Sequence, residues 1–185
     1  MRRFLLFAML AGLIPGRAAA AAETSAEERL AQDQRIMAGW HTYSGLVALK
    51  LMDEYGPPDQ VESERIVWHN AGPWDTIVVW DADDYDYSAT LGPDNLEQTL
   101  FFAVPPEKRK ALADFSDELT VSGDGKELSV RGHSEELNFL ALNLAYEIVQ
   151  GFRDPAEARI FYDRTCQLAQ AGKSSPYLRG LMFIR

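Results

Sequence analysis

The chain has 185 residues, of which 46% are hydrophobic and 25% are charged, and its formal net charge is -10 at pH 7. These proportions are typical of a globular protein with a buried core and exclude a disordered or fibrous chain. The excess of acids argues against nucleic acid or an anionic membrane surface as a partner, because both bind through positive patches.

The first residues have the three parts of an export signal. Two arginines precede an apolar run over residues 4–14, and a small-residue tract follows at 18–22. We predict a signal peptide over residues 1–22, exported by the general secretory or the twin-arginine route, and a single globular domain over 23–185. The predicted location is the periplasm or the exterior. The apolar run is shorter than the roughly twenty residues of a bilayer crossing, so we expect no stable membrane span after cleavage.

The mature chain is more acidic and contains a single cysteine. Removing residues 1–22 takes away three arginines and no acids, so the formal charge moves from -10 to -13. Cys166 cannot form an internal disulfide, so the exported domain must be stabilised by its core. No motif indicates a cofactor.

The first element of the predicted domain is a helix. Residues 24–27 have the pattern of a capping box, and apolar residues recur at helical spacing as far as Leu51. Gly39 and Gly45 are positions at which this helix can divide in two. The segment 55–59, Tyr-Gly-Pro-Pro-Asp, ends it, because proline cannot continue the hydrogen-bond ladder.

The period then changes to two, which predicts strands. Residues 61–68 and 76–80 are rich in Val, Ile and Trp and form an antiparallel pair joined by a longer loop, 69–75. The acidic residues 81–93 are an exposed connection. Residues 96–104 form a third strand, and its apolar residues on both faces predict a central position in the sheet.

A short helix and a second hairpin follow. Pro105 and Pro106 open a helix that runs to about residue 115, since proline is tolerated in the first turn. Residues 119–121 and 128–131 flank a Ser-Gly-Asp-Gly-Lys turn, which predicts a hairpin.

The segment 134–150 predicts the central helix of the fold. Ten of the sixteen residues from Ser134 to Val149 are apolar and point in every direction, which is the pattern of a buried helix. Ser134 is its N-cap and Gly151 ends it. A further helix begins at Asp154, and part of the tail after Gly172 is expected to pack against the domain. The order of elements predicts an α+β fold, a single antiparallel sheet of about five strands with helices packed on one face.

Several landmarks in this chain carry a resemblance. They are Tyr55-Gly56-Pro57-Pro58-Asp59, Trp68-His69-Asn70 with Gly72-Pro73-Trp74, Val104-Pro105-Pro106-Glu107-Lys108, and the Glu-Glu-Leu-Asn-Phe-Leu-Ala-Leu-Asn-Leu-Ala segment that starts at Glu135. Together they cover most of the mature chain and resemble a family of exported bacterial proteins of unknown function. The resemblance implies export and brings no activity with it.

The predicted loop contains the most site-like residues: Trp68, His69, Asn70, Trp74 and Asp75. Two indoles can stack on a flat or sugar-like ligand while the polar groups fix its orientation. In the alternative interpretation, which we favour, the indoles close the end of the hydrophobic core and the other residues shape the turn.

A metal site or a catalytic nucleophile is less favoured than a ligand site in the predicted loop. His41, His69 and His133 lie on different predicted elements without the close pair that is typical of a zinc site. The acids between Asp81 and Asp86 match only part of a calcium loop, so we interpret them as a solvated segment. A Cys166 and histidine pair is conceivable, but the position of Cys166 beside an apolar helical stripe favours a buried, inert thiol.

These observations favour a non-enzymatic exported module that binds a protein or a small-molecule ligand in the cell envelope. The alternative is a hydrolase-like enzyme that uses unidentified carboxylates and one of His41, His69 or His133. A third hypothesis is a purely structural envelope protein. The oligomeric state is left open.

Overall fold

The computed structural model describes residues 31–83 and 93–183. The chain divides into two units, Met1–Arg35 and Ile36–Arg185. Of the first unit only residues 31–35 are described, and they are helical. The fold and the site below belong to the second unit.

The described part of the second unit is an α+β structure with one antiparallel sheet of six strands, which confirms the predicted class. The strands are β1 (Gln60–Val61), β2 (Arg65–Ala71), β3 (Trp74–Trp80), β4 (Leu96–Phe101), β5 (Leu119–Val121) and β6 (Glu127–Gly132). The α-helices are α1 (Thr42–Tyr55), α2 (Arg109–Phe115), α3 (Glu135–Gln150) and α4 (Pro155–Gln170), with short 3-10 helices at Pro106–Lys108 and Pro176–Leu178.

The strand order is β1-β2-β3-β4-β6-β5, and every neighbouring pair is antiparallel. Strand β4 is central, as predicted. Its alternate residues Leu96, Gln98 and Leu100 are buried on the helix-covered face, whereas Phe101 is exposed on the other. The alternation of buried and less buried residues along β4 therefore indicates which face of the sheet packs against the helices.

Helix α3 is the buried element that the sequence predicts. The Ser134 side chain accepts a hydrogen bond from the Leu137 backbone N–H, Gly151 ends the helix in a left-handed conformation, and eleven of the sixteen residues between them are buried. Although α3 is apolar, no helix among the described residues has the length and apolar character that a membrane crossing needs.

Two strand predictions need correction. The predicted strand 61–68 is two strands, because the Glu62 backbone N–H donates to the Arg65 carbonyl and turns β1 back along β2. The predicted loop 69–75 is mostly strand, since Ala71 already pairs with Trp74 across a two-residue turn. These changes make the sheet six strands rather than about five.

The other predicted helices and strands among the described residues lie at or near the residues predicted for them. Helix α1 begins at Thr42, so the division falls near Gly39 and not at Gly45. The capping box at 24–27, the boundary at residues 22 and 23, and the acids from 84 to 92 lie outside the described residues.

Candidate functional site

The turn between β2 and β3 consists of Gly72 and Pro73. Gly72 has a φ of 54°, and a positive φ followed by the fixed negative φ of proline is the sign pattern of a type II′ hairpin turn. Such a turn matches the twist of the flanking strands. The sequence pattern Gly-Pro therefore needs no longer loop to reverse the chain here.

Both indoles of the predicted site lie in the core. Trp68 is 2% exposed and its Nε1–H donates to the Gly56 carbonyl at 3.0 Å. Trp74 is 1% exposed, and its ring stacks on Phe139 with centroids 5.1 Å apart. These positions agree with the interpretation in which the indoles close the end of the core, and they leave neither ring face open to a ligand.

The polar residues of the predicted site do not converge with the indoles. His69 is exposed on the strand face opposite Trp68, and its backbone N–H donates to Asp59 at 2.7 Å. Asn70 is exposed and has a φ of 52°, which asparagine tolerates better than most residues. Asp75 accepts a hydrogen bond from the Phe101 backbone N–H. Ligand binding by these five residues stays a prediction.

A cleft of about 680 Å³ opens beside this turn. It is lined by Glu54, Tyr55, Gly72, Pro73, Phe139, Arg179, Gly180, Leu181 and Phe183. Four segments contribute its walls: the end of α1, the β2–β3 turn, α3 and the tail after Pro176–Leu178. The predicted loop thus contributes to the cleft through its glycine and proline rather than through its indoles.

Tyr55 is held tightly in the cleft wall. A Cβ added at Gly72 would lie 2.5 Å from Cε1 of the Tyr55 ring, so the ring packs directly on the glycine. On its other side the Tyr55 hydroxyl donates to Oε1 of Glu135 at 2.7 Å. Burial, and then the hydrogen bond to Glu135, raises the pKa of Tyr55, so the phenol stays a hydrogen-bond donor.

Glu135 is the polar centre behind the cleft. It is only 6% exposed, and its Oε1 accepts hydrogen bonds from the Tyr55 hydroxyl, from Trp74 Nε1 at 2.6 Å and from Gln98 Nε2 at 2.8 Å. Its place in the first turn of α3 adds the favourable field of the helix N-terminus. One buried carboxylate thereby ties α1, β3, β4 and α3 together.

The polar network continues from Glu135 along the sheet. Gln98 Oε1 accepts a hydrogen bond from Asn138 Nδ2, which also donates to the Leu96 carbonyl. Gly132 leaves the room for this amide, since a Cβ there would lie 2.6 Å from Asn138 Oδ1. We did not predict the hydrogen bonds of Glu135 and Gln98 from the sequence, although Gln98 lies between Leu96 and Leu100 on the same strand face, which is a signal for a buried polar side chain.

The tail wall of the cleft is fastened by Asn143 of α3. Its Nδ2 donates to the carbonyls of Tyr177 and Gly180 at 3.2 and 2.9 Å, and its Oδ1 accepts from the Met182 backbone N–H at 2.7 Å. A side chain that satisfies three backbone groups fixes the path of the tail from Tyr177 to Met182. The predicted packing of the tail is therefore present.

The three histidines lie apart. His41 Nδ1 is 3.0 Å from Asp81, His133 Nδ1 is 3.9 Å from Asp94, and the exposed His69 on β2 has its Nε2 3.4 Å from Gln60 Nε2. Over residues 31–83 and 93–183 no group of three or more His, Cys, Asp or Glu side chains is arranged to hold a metal ion.

Cys166 shares a second pocket, of about 240 Å³, with His133. Burial raises the pKa of the Cys166 thiol and lowers that of His133, so burial disfavours both the thiolate and the imidazolium. A nucleophilic pair needs the opposite shifts. This agrees with the favoured interpretation of Cys166 as an inert thiol.

Glu118 predicts a pH dependence of stability. Burial, and then the charges of Asp94 and Asp117, raises its pKa from 4.5 to about 7. A raised carboxyl pKa in the folded state means that this group's contribution to stability is fully present below pH 4.5 and is lost as the pH rises to 7. We expect Glu118→Gln to remove that loss. In urea denaturation, the free energy of unfolding of the variant relative to wild type should therefore rise as the pH rises from 4.5 to about 7.

The control for Glu118 is Glu127→Gln, a change at an exposed carboxylate. Comparing each variant with wild type at the same pH cancels the titration of other groups, including His133. An equal pH trend in both variants would contradict the assignment to Glu118.

Comparison of the chain with protein-family models, with characterised proteins and with solved structures finds no match. The resemblance to exported bacterial proteins therefore stays a prediction from the landmarks.

Proposed function

We propose that this chain is an exported, non-enzymatic domain that binds a small ligand or a short peptide segment in the 680 Å³ cleft. The observation that carries the proposal is the cleft itself, because ligand sites are concave, largely apolar, and occupy roughly 300–1,000 Å³. The ring of Tyr55 and the side chains of Phe139, Leu181 and Phe183 supply apolar walls.

The walls are preformed, which supports binding over a purely packing role. Tyr55 is fixed between Gly72 and Glu135, and the backbone at Gly180 is fixed by Asn143. A ligand that enters such a cleft does not have to order it, so less of the interaction free energy is lost.

The envelope location rests on the sequence. The three-part signal at residues 1–22 and the resemblance to exported bacterial proteins both support secretion or a periplasmic location. The formal charge of -13 in the mature chain favours a ligand that is not a polyanion.

Filling the cleft tests the proposal. An added Cβ at Gly180 meets no other heavy atom within 4 Å and Gly180 has no positive φ, so Gly180→Trp should occupy the cleft without disturbing the fold. We expect a thermal-shift screen of sugars, peptidoglycan fragments, amino acids and short peptides to give at least one compound that raises the wild-type Tm by roughly 5–10 °C at a hundredfold excess over Kd. The shift should be absent in Gly180→Trp.

Gly123→Trp is the matched control. Gly123 is also open to an added Cβ, and it lies in the β5–β6 turn outside the lining of the cleft. The control should keep the wild-type shift. The proposal fails if no compound shifts the wild type, or if every shift survives equally in Gly180→Trp.

A further inference from the structure

The cleft contains one acidic and one basic side chain that form no ion pair within the protein, although Glu54 has a Coulombic interaction with Lys50. Glu54 comes from the end of α1 and Arg179 from the tail. In the part of the chain that the structure describes, neither side chain takes part in a salt bridge or a hydrogen bond. Both remain available to a ligand.

Other charged side chains on α1, on α3 and just after α3 are paired within the protein. Lys50 and Glu136 form an ion pair at 2.8 Å, and Arg153 pairs with Glu147 at 2.7 Å. These pairs offer a ligand no free partner. The two unpaired charges of the cleft therefore carry its recognition chemistry.

The same cleft is also lined by apolar and aromatic side chains. Phe139 is stacked on Trp74, and Phe183 is stacked on Tyr146 with centroids 4.5 Å apart and planes 7° from parallel. Rings that are fixed by stacking present a rigid surface to an apolar group of a ligand. The cleft thus combines an anion, a cation and an apolar wall.

We propose that the ligand of this cleft is zwitterionic: a short peptide with free termini and an apolar or aromatic side chain. Its ammonium group binds Glu54, its carboxylate binds Arg179, and its side chain packs on the aromatic wall. The inference rests on the proposed function of the cleft.

The charge of the whole protein supports this class of ligand. A formal charge of -13 repels anions at long range, whereas a zwitterion has no net charge to be repelled. The guanidinium of Arg179 disfavours a purely cationic ligand locally and matches the planar geometry of a carboxylate.

Three forms of one dipeptide test the assignment. The probes are alanyl-phenylalanine with both termini free, its N-acetyl derivative and its C-terminal amide, each titrated calorimetrically into the wild-type mature protein. We expect each blocked form to bind roughly three- to tenfold more weakly than the free dipeptide, which is the range for partly exposed charge pairs.

Two charge-removing variants assign each terminus. Arg179→Gln should abolish the difference between the free acid and the amide and keep the difference between the free amine and its acetyl form. Glu54→Gln should do the reverse. The matched controls are Arg164→Gln and Asp53→Asn, exposed residues that do not line the cleft, which should keep both differences.

Failure of this inference is distinguishable from failure of the proposed function. If the three probes bind equally, or if neither variant changes the ratios, the zwitterion assignment is overturned. If no probe binds while another compound still gives a thermal shift that Gly180→Trp removes, the ligand class is wrong and the cleft remains a binding site.

Discussion

Replacing Glu135 by alanine is expected to lower the free energy of unfolding by roughly 3–5 kcal/mol, because two buried donors and one partly buried donor would lose their acceptor. The hydroxyl of Tyr55 and the side-chain N–H groups of Trp74 and Gln98 all point at one oxygen, Oε1. An unsatisfied buried donor costs about 1–3 kcal/mol, and water entering the vacated space offsets part of the sum. Urea denaturation followed by tryptophan fluorescence measures the loss.

The neighbouring residue supplies the control for Glu135. Glu136 is 51% exposed in its side chain and its partner is the exposed Lys50, so Glu136→Ala should cost less than about 1 kcal/mol. Glu135→Gln should fall between the two, because the amide keeps an acceptor oxygen for the donors and loses the charge. Equal losses in the two alanine variants would show that the Glu135 hydrogen bonds contribute little.

Local chemistry explains which parts of the fold the sequence predicts. Helix α3 is recognisable because it is apolar all round, begins at a serine that caps it and ends at Gly151. The β5–β6 hairpin is recognisable for a similar reason, since Gly125 adopts a positive φ in the turn. In both places the residues that set the backbone conformation are adjacent in sequence.

The first hairpin shows where such local prediction fails. Strand β1 has only two residues, Gln60 and Val61, too few for a period to be detected. Trp74 and Asp75 follow a Gly-Pro pair, so the sequence alone places them in a loop. In the structure Trp74 pairs with Ala71, because the two-residue turn at Gly72 and Pro73 lets β2 and β3 stay paired right up to the turn.

The cleft is not predictable from sequence for a different reason. Tyr55, Gly72 and Arg179 come from segments that are far apart in the chain, and their proximity depends on how α1, the hairpin and the tail pack on α3. Glu135 is equally hidden, because an acid in the first turn of a helix is explained by the helix dipole without burial. Gln98 in an otherwise apolar strand face, and Asn138 in the largely apolar helix α3, are the residues that indicate a buried polar network in advance.

Gly72→Ala is expected to cost roughly 2–5 kcal/mol of unfolding free energy for two reasons that act together. Gly72 has a φ of 54°, which strains any residue with a Cβ, and that Cβ would lie 2.5 Å from the Tyr55 ring. The ring cannot easily move away, because its hydroxyl is bonded to the buried Glu135. Urea denaturation measures the cost, and a still-folded variant should also lose ligand binding as Tyr55 is displaced.

A substitution at Gly172 separates the cost of the positive φ from the cost of the clash with the Tyr55 ring. Gly172 has a φ of 76° but no heavy atom within 4 Å of an added Cβ, so Gly172→Ala pays only for the backbone conformation, about 1–2 kcal/mol. The excess in Gly72→Ala then measures how tightly Tyr55 is held between the turn and Glu135. If both variants lose the same stability, the ring yields to the new methyl group, and the cleft wall is less rigid than its contacts indicate. A large excess instead makes the Gly72–Tyr55–Glu135 contact the structural link between the buried polar network and the cleft.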